Sequence, residues 1–298
     1  MNNGVKIAAA VVTYNPEIER LFVNLETVAP QVDKILIVDN ASVNIKEFDH
    51  LAHVDYIKNH VNNGIAWALN RAFEWAHENG FEWLLTLDQD SVVEQELVAK
   101  LLNYSSASGK HVGIVFPKID DRDGEMVIAT ENCFVHKLRS LKRRIASLLP
   151  RLAITSGSLV SIQAVRECGG VDEDYFIENV DWELDLKMLR RKYVLLPCES
   201  AVLDQRCGSP RLAKRGNIYL TGHSAWRFYY MYRNRVWLHR YFFTLPSFFI
   251  LDDFIYLIKI PLYWFSGERK IVRAMLLGLR DGLMKRKLSQ DKILEICS

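Results

Sequence analysis

Trp83-Leu84-Leu85-Thr86-Leu87 is a continuous apolar run of strand length, and it passes without a break into Asp88-Gln89-Asp90. A strand apolar on both faces is one covered by helices on both sides, as in a parallel sheet. Two carboxylates at the end of such a strand stand where open α/β sheets bind their ligands, beyond the carboxyl ends of the strands.

The flanking sequence repeats the arrangement. Val5–Thr13 (VKIAAAVVT) reads as a strand stopped by Tyr14-Asn15-Pro16. Ile18, Leu21, Phe22, Leu25 and Val28 then have helical spacing, closed by Pro30. Lys34–Val38 (KILIV) is a further strand, halted at Asp39-Asn40-Ala41-Ser42, and a short one lies near Tyr56-Ile57. Asn62-Asn63-Gly64 precedes a helix predicted from Ile65 to His77. This alternation predicts an α/β fold with a mostly parallel sheet. Asp39, Asn63-Gly64 and Asp88–Asp90 all fall at strand ends on one edge of it. Beyond them, Val112–Pro117 predicts a strand, Ile154–Val160 a turn and strand, and Trp182–Arg191 a helix.

With 298 residues, 49% hydrophobic and 25% charged, the chain is neither disordered nor collagen-like nor a multi-span membrane protein. Its net charge of +2 hides an asymmetry: residues 1–136 carry 10 Lys/Arg against 20 Asp/Glu, and residues 137–298 carry 28 against 16. An acidic half joined to a basic half implies two different partners. Cys133, Cys168, Cys198, Cys207 and Cys297 form no CxxC pair and are odd in number, so buried thiols in a reducing compartment are expected. With no signal-peptide pattern at its start, a cytoplasmic location is expected.

The C-terminal third is aromatic and basic. Tyr241–Phe265 is dense in Phe, Leu, Ile, Tyr and Trp but contains Pro246, Asp252, Asp253, Lys259 and Pro261. A bilayer span needs about 20 apolar residues without such interruptions. Followed by Arg269, Lys270, Arg273, Arg280 and Lys285-Arg286-Lys287, the segment fits helices lying in a membrane interface. The alternative is an aromatic core helix pair with a solvated basic face.

Chemistry concentrates at the strand ends. Asp88 and Asp90 offer a hard divalent cation two oxygen ligands, and the cation can bridge a diphosphate; the same residues, with Ser91, also suit a helix cap. Asp39 can accept from a nucleobase imide or a ribose hydroxyl, or form an Asx turn. Asn63-Gly64 permits close backbone approach to a ligand, or caps the following helix.

The ordered set Val11-Val12-Thr13-Tyr14-Asn15, Val38-Asp39-Asn40-Ala41-Ser42, Asn62-Asn63-Gly64-Ile65-Ala66 with Ala68 and Asn70, and Leu87-Asp88-Gln89-Asp90 resembles the family 2 glycosyltransferases of the GT-A fold. Gly169-Gly170-Val171-Asp172-Glu173, Phe176-Ile177 and Val180-Asp181-Trp182-Glu183 continue the resemblance. His223-Ser224-Ala225-Trp226-Arg227-Phe228-Tyr229-Tyr230, with Arg233-Asn234, resembles the rhamnosyltransferase branch. It covers residues 7–235, which implies a GT-A domain over 1–235, split near 115 into nucleotide-sugar and acceptor halves, and a membrane-associating helical region over 236–298.

The resemblance also implies roles. Thr13 and Asp39 would line the nucleobase pocket, Asn63 and Gly64 would pack on the nucleoside, and Asp88 would approach the ribose. Asp90, with Asp88, would hold Mg²⁺ or Mn²⁺ on the diphosphate. Asp181 matches the catalytic base, with Glu178 and Glu183 as neighbours able to serve and Glu183 expected to orient or lie on the helix surface. Ser156 and Gly157 fall where the acceptor site is shaped beside the diphosphate, and Arg206 and Arg227 are expected on that side too. One departure is informative: where relatives carry a His, this chain reads Leu203-Asp204-Gln205-Arg206-Cys207-Gly208. Arg206, Arg211, Lys214 and Arg215 can compensate by holding a diphosphate; His223 is expected to be structural.

Inverting sugar transfer needs one base for the attacking hydroxyl and stabilisation of the leaving diphosphate. The expected reaction is transfer of L-rhamnose from dTDP-L-rhamnose to a polyprenyl-diphosphate-linked saccharide at the cytoplasmic face of the inner membrane, in surface polysaccharide (O-antigen or capsule) synthesis. The alternatives are another nucleotide-sugar donor or a catalytically silent nucleotide-sugar-binding subunit. A nucleotidyltransferase would carry a Gly-rich basic loop where this chain has Tyr14-Asn15-Pro16, and no nucleic-acid-binding module is present.

Overall fold

The computed structural model describes residues 4–44, 54–120, 151–204, 213–215, 218–220 and 223–297. β1 (Ile7–Thr13), α1 (Ile18–Val28), β2 (Lys34–Asp39), β3 (Val54–Lys58), α2 (Gly64–Glu78) and β4 (Trp83–Asp88) follow the predicted alternation. β5 (Val92–Val93), α3 (Leu97–Ser108), β6 (Val112–Asp120), β7 (Ser158–Ser161), α4 (Ile162–Cys168), α5 (Val180–Arg190) and β8 (Val194–Asp204) come next. The strands form one sheet in the order β3-β2-β1-β4-β7-β6-β8-β5.

Pairing is parallel among β3, β2, β1 and β4 and between β6 and β8, and antiparallel where β7 and β5 join. The mostly parallel expectation is met. Central β1 is buried almost throughout, and its Val11 meets Leu21, Leu25, Leu85 and Leu87 in a core extending to Leu159 and Leu203. Register decides what this core displays. Thr13 lies opposite Asp39 on one side, and Val12 lies opposite Asp88 on the other. Three of the expected site residues therefore end adjacent strands together.

The chain divides into two compact units. The first carries the eight-stranded sheet with α1 to α5. Among its described residues the second carries Ile177–Asn179, the hairpin of β9 (Ala213–Arg215) and β10 (Ile218–Leu220), and the helices α6 (Ala225–Leu238), α7 (Pro246–Phe265), α8 (Arg269–Leu283) and α9 (Gln290–Cys297). The expected boundary after residue 235 falls inside α6, which packs with the helices that follow it. Contact between α6 and α8 rests on two glycines. A Cβ on Gly278 would stand 2.4 Å from the Tyr229 carbonyl oxygen, and one on Gly282 would stand 2.7 Å from Val236 Cβ. Phe228, Tyr232, Tyr256, Tyr263, Val272 and Met275 fill the core of this unit.

The residues that interrupt the aromatic run have a use here. Arg235 is buried, its Nε donating to Asp253 Oδ1 at 2.7 Å with Asp252 beside it. With the two acids turned toward Arg235, Ile250, Phe254, Leu257 and Trp264 are left exposed along α7. Pro246 starts this helix and Pro261 lies inside it, so neither proline ends it. Among the described residues, no helix is long and apolar enough to cross a membrane.

Candidate active site

At the ends of β1 and β2, Thr13 and Asp39 are fully buried. The Thr13 hydroxyl donates to Asp39 Oδ1 at 2.9 Å. Ser42 adds its hydroxyl on Oδ1 and its backbone N–H on Oδ2, at 2.5 and 3.0 Å. Asp39 thus builds the turn that follows its strand, so the carboxylate belongs to the floor of any pocket here.

Asp88-Gln89-Asp90 is fixed through its backbone and its amide. The Asp88 carbonyl accepts from Asn24 Nδ2 at 2.8 Å, the Asp90 carbonyl from Arg20 Nε at 2.8 Å, and Gln89 Oε1 from the Tyr14 N–H at 2.8 Å. Behind it, buried Ser156 accepts the Asp88 N–H at 3.2 Å and bonds the Ser91 hydroxyl. Gly157 is buried as well, its N–H donating to the Thr86 carbonyl at 2.8 Å. Ser156 and Gly157 therefore support the Asp88 segment from inside. The side chains of Asp88 and Asp90 remain half-buried.

Gly64 begins α2 with φ +85°, and a Cβ on it would stand 2.4 Å from the Phe176 carbonyl oxygen. That oxygen accepts the Ile65 N–H at 2.7 Å, capping the helix. The close approach expected for Asn63-Gly64 is thus made by the chain's own backbone, with Asn63 at the N-cap position making no side-chain cap bond. One turn on, Asn70 exchanges two 2.9 Å hydrogen bonds with the Val171 backbone. The Gly169-Gly170-Val171-Asp172-Glu173 motif is in this way tied to α2.

Asp181 and Glu183 occupy the first turn of α5. Glu183, expected to orient or lie on the helix surface, is fully buried, paired with Lys187 at 3.0 Å and accepting the Asp172 N–H at 3.3 Å. It braces the turn before the helix, and as a buried, paired carboxylate it is a poor candidate for the base. Asp185, which pattern reasoning passed over, is buried one turn beyond Asp181. Burial first, and the Asp181 charge second, push its carboxyl well above the usual range.

The approach to α5 is strained. Phe176, Glu178 and Asn179 have φ of 60°, 66° and 60°, in the left-handed region. In the second unit, Asn234 Nδ2 holds the Ile177 and Glu178 carbonyls at 2.6 and 2.8 Å, and Arg227 pairs with Glu178. Asn234 was visible only as part of a motif, because its partners are carbonyls that sequence does not reveal. His223 has its pKa lowered by burial and then by Arg227. Cys198 is buried, and burial pushes the Cys168 thiol up to about 11, so neither is a reactive thiol. Gln205, Arg206 and Arg211 lie outside the described residues.

The donor set suits a hard cation. Among the described residues nothing hydrogen-bonds the Asp90 carboxylate, and it sits two residues from Asp88 on an anchored backbone. Magnesium takes one or two protein carboxylates and completes its shell with phosphate and water. No cluster of three or more His, Cys, Asp or Glu side chains occurs among the described residues, so the protein alone would supply a partial shell.

A model of the family described as Glycosyl transferase family 2 matches residues 9–168. The dTDP-rhamnosyl transferase RfbF of Shigella flexneri is 30% identical over 242 residues, covering 78% of this chain and 80% of that protein. Among solved structures, GalNAc-T7 with UDP, GalNAc and Mn²⁺ superposes with a TM-score of 0.53 at 14% identity over 80% of this chain. This chain spans about half (49%) of that one, and the likeness concerns the fold.

Proposed function

The chain belongs to family 2 of the glycosyltransferases and has their α/β, GT-A-like fold, and from that premise we propose that it transfers L-rhamnose from dTDP-L-rhamnose. The proposed acceptor is a saccharide carried on a polyprenyl diphosphate, in bacterial surface polysaccharide synthesis. The observation that carries the donor assignment is the 30% identity to a dTDP-rhamnosyl transferase over most of both chains.

In this reading the nucleotide lies over the ends of β1, β2 and β4. Thr13 and Asp39 form the floor of the base pocket, and the N-terminal turn of α2 at Asn63-Gly64 packs on the nucleoside. Asp88 orients the ribose, while Asp90 and Asp88 hold Mg²⁺ or Mn²⁺. When bound, such an ion would supply positive charge against the leaving diphosphate. Ser156 and Gly157 act by fixing Asp88. Asp181 takes the proton of the acceptor hydroxyl as that oxygen attacks the anomeric carbon from the side opposite the diphosphate, inverting its configuration. Arg206 and Arg227 are assigned to the acceptor side.

The second unit is assigned to the cytoplasmic face of the inner membrane. Exposed Phe243, Ile250, Phe254, Leu257, Trp264 and Phe265 offer apolar surface to the acyl boundary. Lys285-Arg286-Lys287 supplies charge for anionic headgroups.

A transfer assay with purified protein, Mg²⁺, a lipid-linked acceptor and a panel of nucleotide sugars tests this. Turnover with dTDP-L-rhamnose at least about tenfold above any other donor is expected, a discrimination of about 1.4 kcal/mol. Preference for a UDP-hexose would overturn the donor, and Asp181→Asn with wild-type turnover would overturn the base.

A further inference from the structure

Asp185 stands four residues beyond Asp181 on α5, so the two carboxyls share one face of the helix. Its Oδ2 accepts the Ala153 N–H at 2.6 Å, while its Oδ1 is buried with no hydrogen-bond partner among the described residues. An orphaned buried oxygen is costly unless something unrecorded satisfies it. Asp181 and Asp185 both line a cavity of about 20 Å³, together with Thr86, Thr155 and Ser158. That is room for one water.

Polarity around the cavity limits what such a water can meet. The Thr86 hydroxyl donates to the Thr155 and Ser158 carbonyls, and the Ser158 hydroxyl donates to the Ile154 carbonyl. With these protons engaged, both hydroxyl oxygens have only acceptor capacity left. Asp181 as a base is an acceptor too. Among the described residues, the walls contributed by α2, β4, β6 and the segment before β7 hold no other titratable side chain. Among the side chains described there, only a protonated Asp185 can add a donor.

We propose that Asp185 is a positioning residue for the base: it keeps a proton on Oδ1, donates it to a water in this cavity, and through that water orients the ionised Asp181 carboxylate. Its raised affinity for protons, caused first by burial, fits that role. During transfer the acceptor's proton goes to Asp181, and Asp185 retains its own. The inference rests on Asp181 being the base.

Infrared difference spectra at neutral pH test it on the folded protein. Wild type minus Asp185→Asn should show the carbonyl stretch of one protonated carboxylic acid, and Asp181→Asn should displace that band. Kinetics give a second readout. Asp185→Asn, which keeps an acceptor for Ala153 and a donor for the water, should hold kcat within about threefold. Asp185→Val should lose about tenfold or more in kcat with donor KM unchanged. No band in the wild type, or a band that Asp181→Asn leaves in place, overturns the inference without touching the base assignment. Wild-type turnover in Asp181→Asn overturns both.

Discussion

Thr13 and Asp39 are register partners at the ends of two parallel strands, and the Thr13 hydroxyl donates to Asp39 Oδ1 across the 2.9 Å between them. Neither side chain is exposed. In the proposed reading this pair is the floor of the nucleotide pocket, and because the same backbone register forms the core, ordering it on binding would cost little.

Thr13→Val keeps the shape and removes the donor. Asp39 then keeps only its two bonds from Ser42, and the loss should cost about 1–3 kcal/mol of stability, read as a lower urea midpoint with unchanged slope. Donor KM should rise as the floor loosens.

Asp90→Asn removes a charge that makes no hydrogen bond among the described residues, so the fold should survive with an unchanged Tm. Stabilisation of the protein by nucleoside diphosphate plus Mn²⁺ should vanish, while the nucleotide-only response remains. A metal-dependent shift equal to wild type would show that Asp90 holds no cation.

Asp185 should give stability a particular pH dependence. Its folded pKa is raised above the ordinary value of about 3.9, so its contribution is complete below about pH 4. As pH rises toward the folded value, the native state keeps a proton that the unfolded chain has lost. Stability then falls by up to about 1.4 kcal/mol per pH unit. Urea midpoints of wild type and Asp185→Asn should diverge in the variant's favour from pH 4 upward, and a constant gap would contradict a protonated Asp185.

Membrane docking through α7 predicts separable effects. Phe254→Glu with Leu257→Glu should abolish sedimentation with vesicles of any charge. Neutralising Lys285-Arg286-Lys287 should weaken binding to anionic vesicles alone, an effect that added salt reproduces in wild type. Full vesicle binding by both variants would place the apolar face against something else.

Sequence alone revealed the parallel strands, because an apolar run such as IAAAVVT admits few other environments, and it placed Asp39, Asn63-Gly64 and Asp88–Asp90 at one edge. It could not reveal that Ser158–Ser161 enters the sheet antiparallel between β4 and β6, since no local signal encodes a distant partner. The destination of Asp252 and Asp253 was equally hidden. They interrupt an apolar run in one dimension and neutralise buried Arg235 in three. Nothing in the sequence pattern marks Asp185, because its meaning lies in the Ala153 N–H and a cavity wall.

The left-handed run at Phe176, Glu178 and Asn179 makes length, rather than composition, the constraint on the stretch leading into α5. An α-helix turns about 100° per residue. One residue removed between Phe176 and Val180 would therefore swing Asp181 by more than a quarter-turn and pull Glu183 from the Asp172 N–H that it accepts. A substitution there has only the local strain to satisfy, whereas an insertion or deletion re-aims the whole helix. Tolerance of sequence change with intolerance of length change is the signature this junction should leave in a library of random variants selected for turnover.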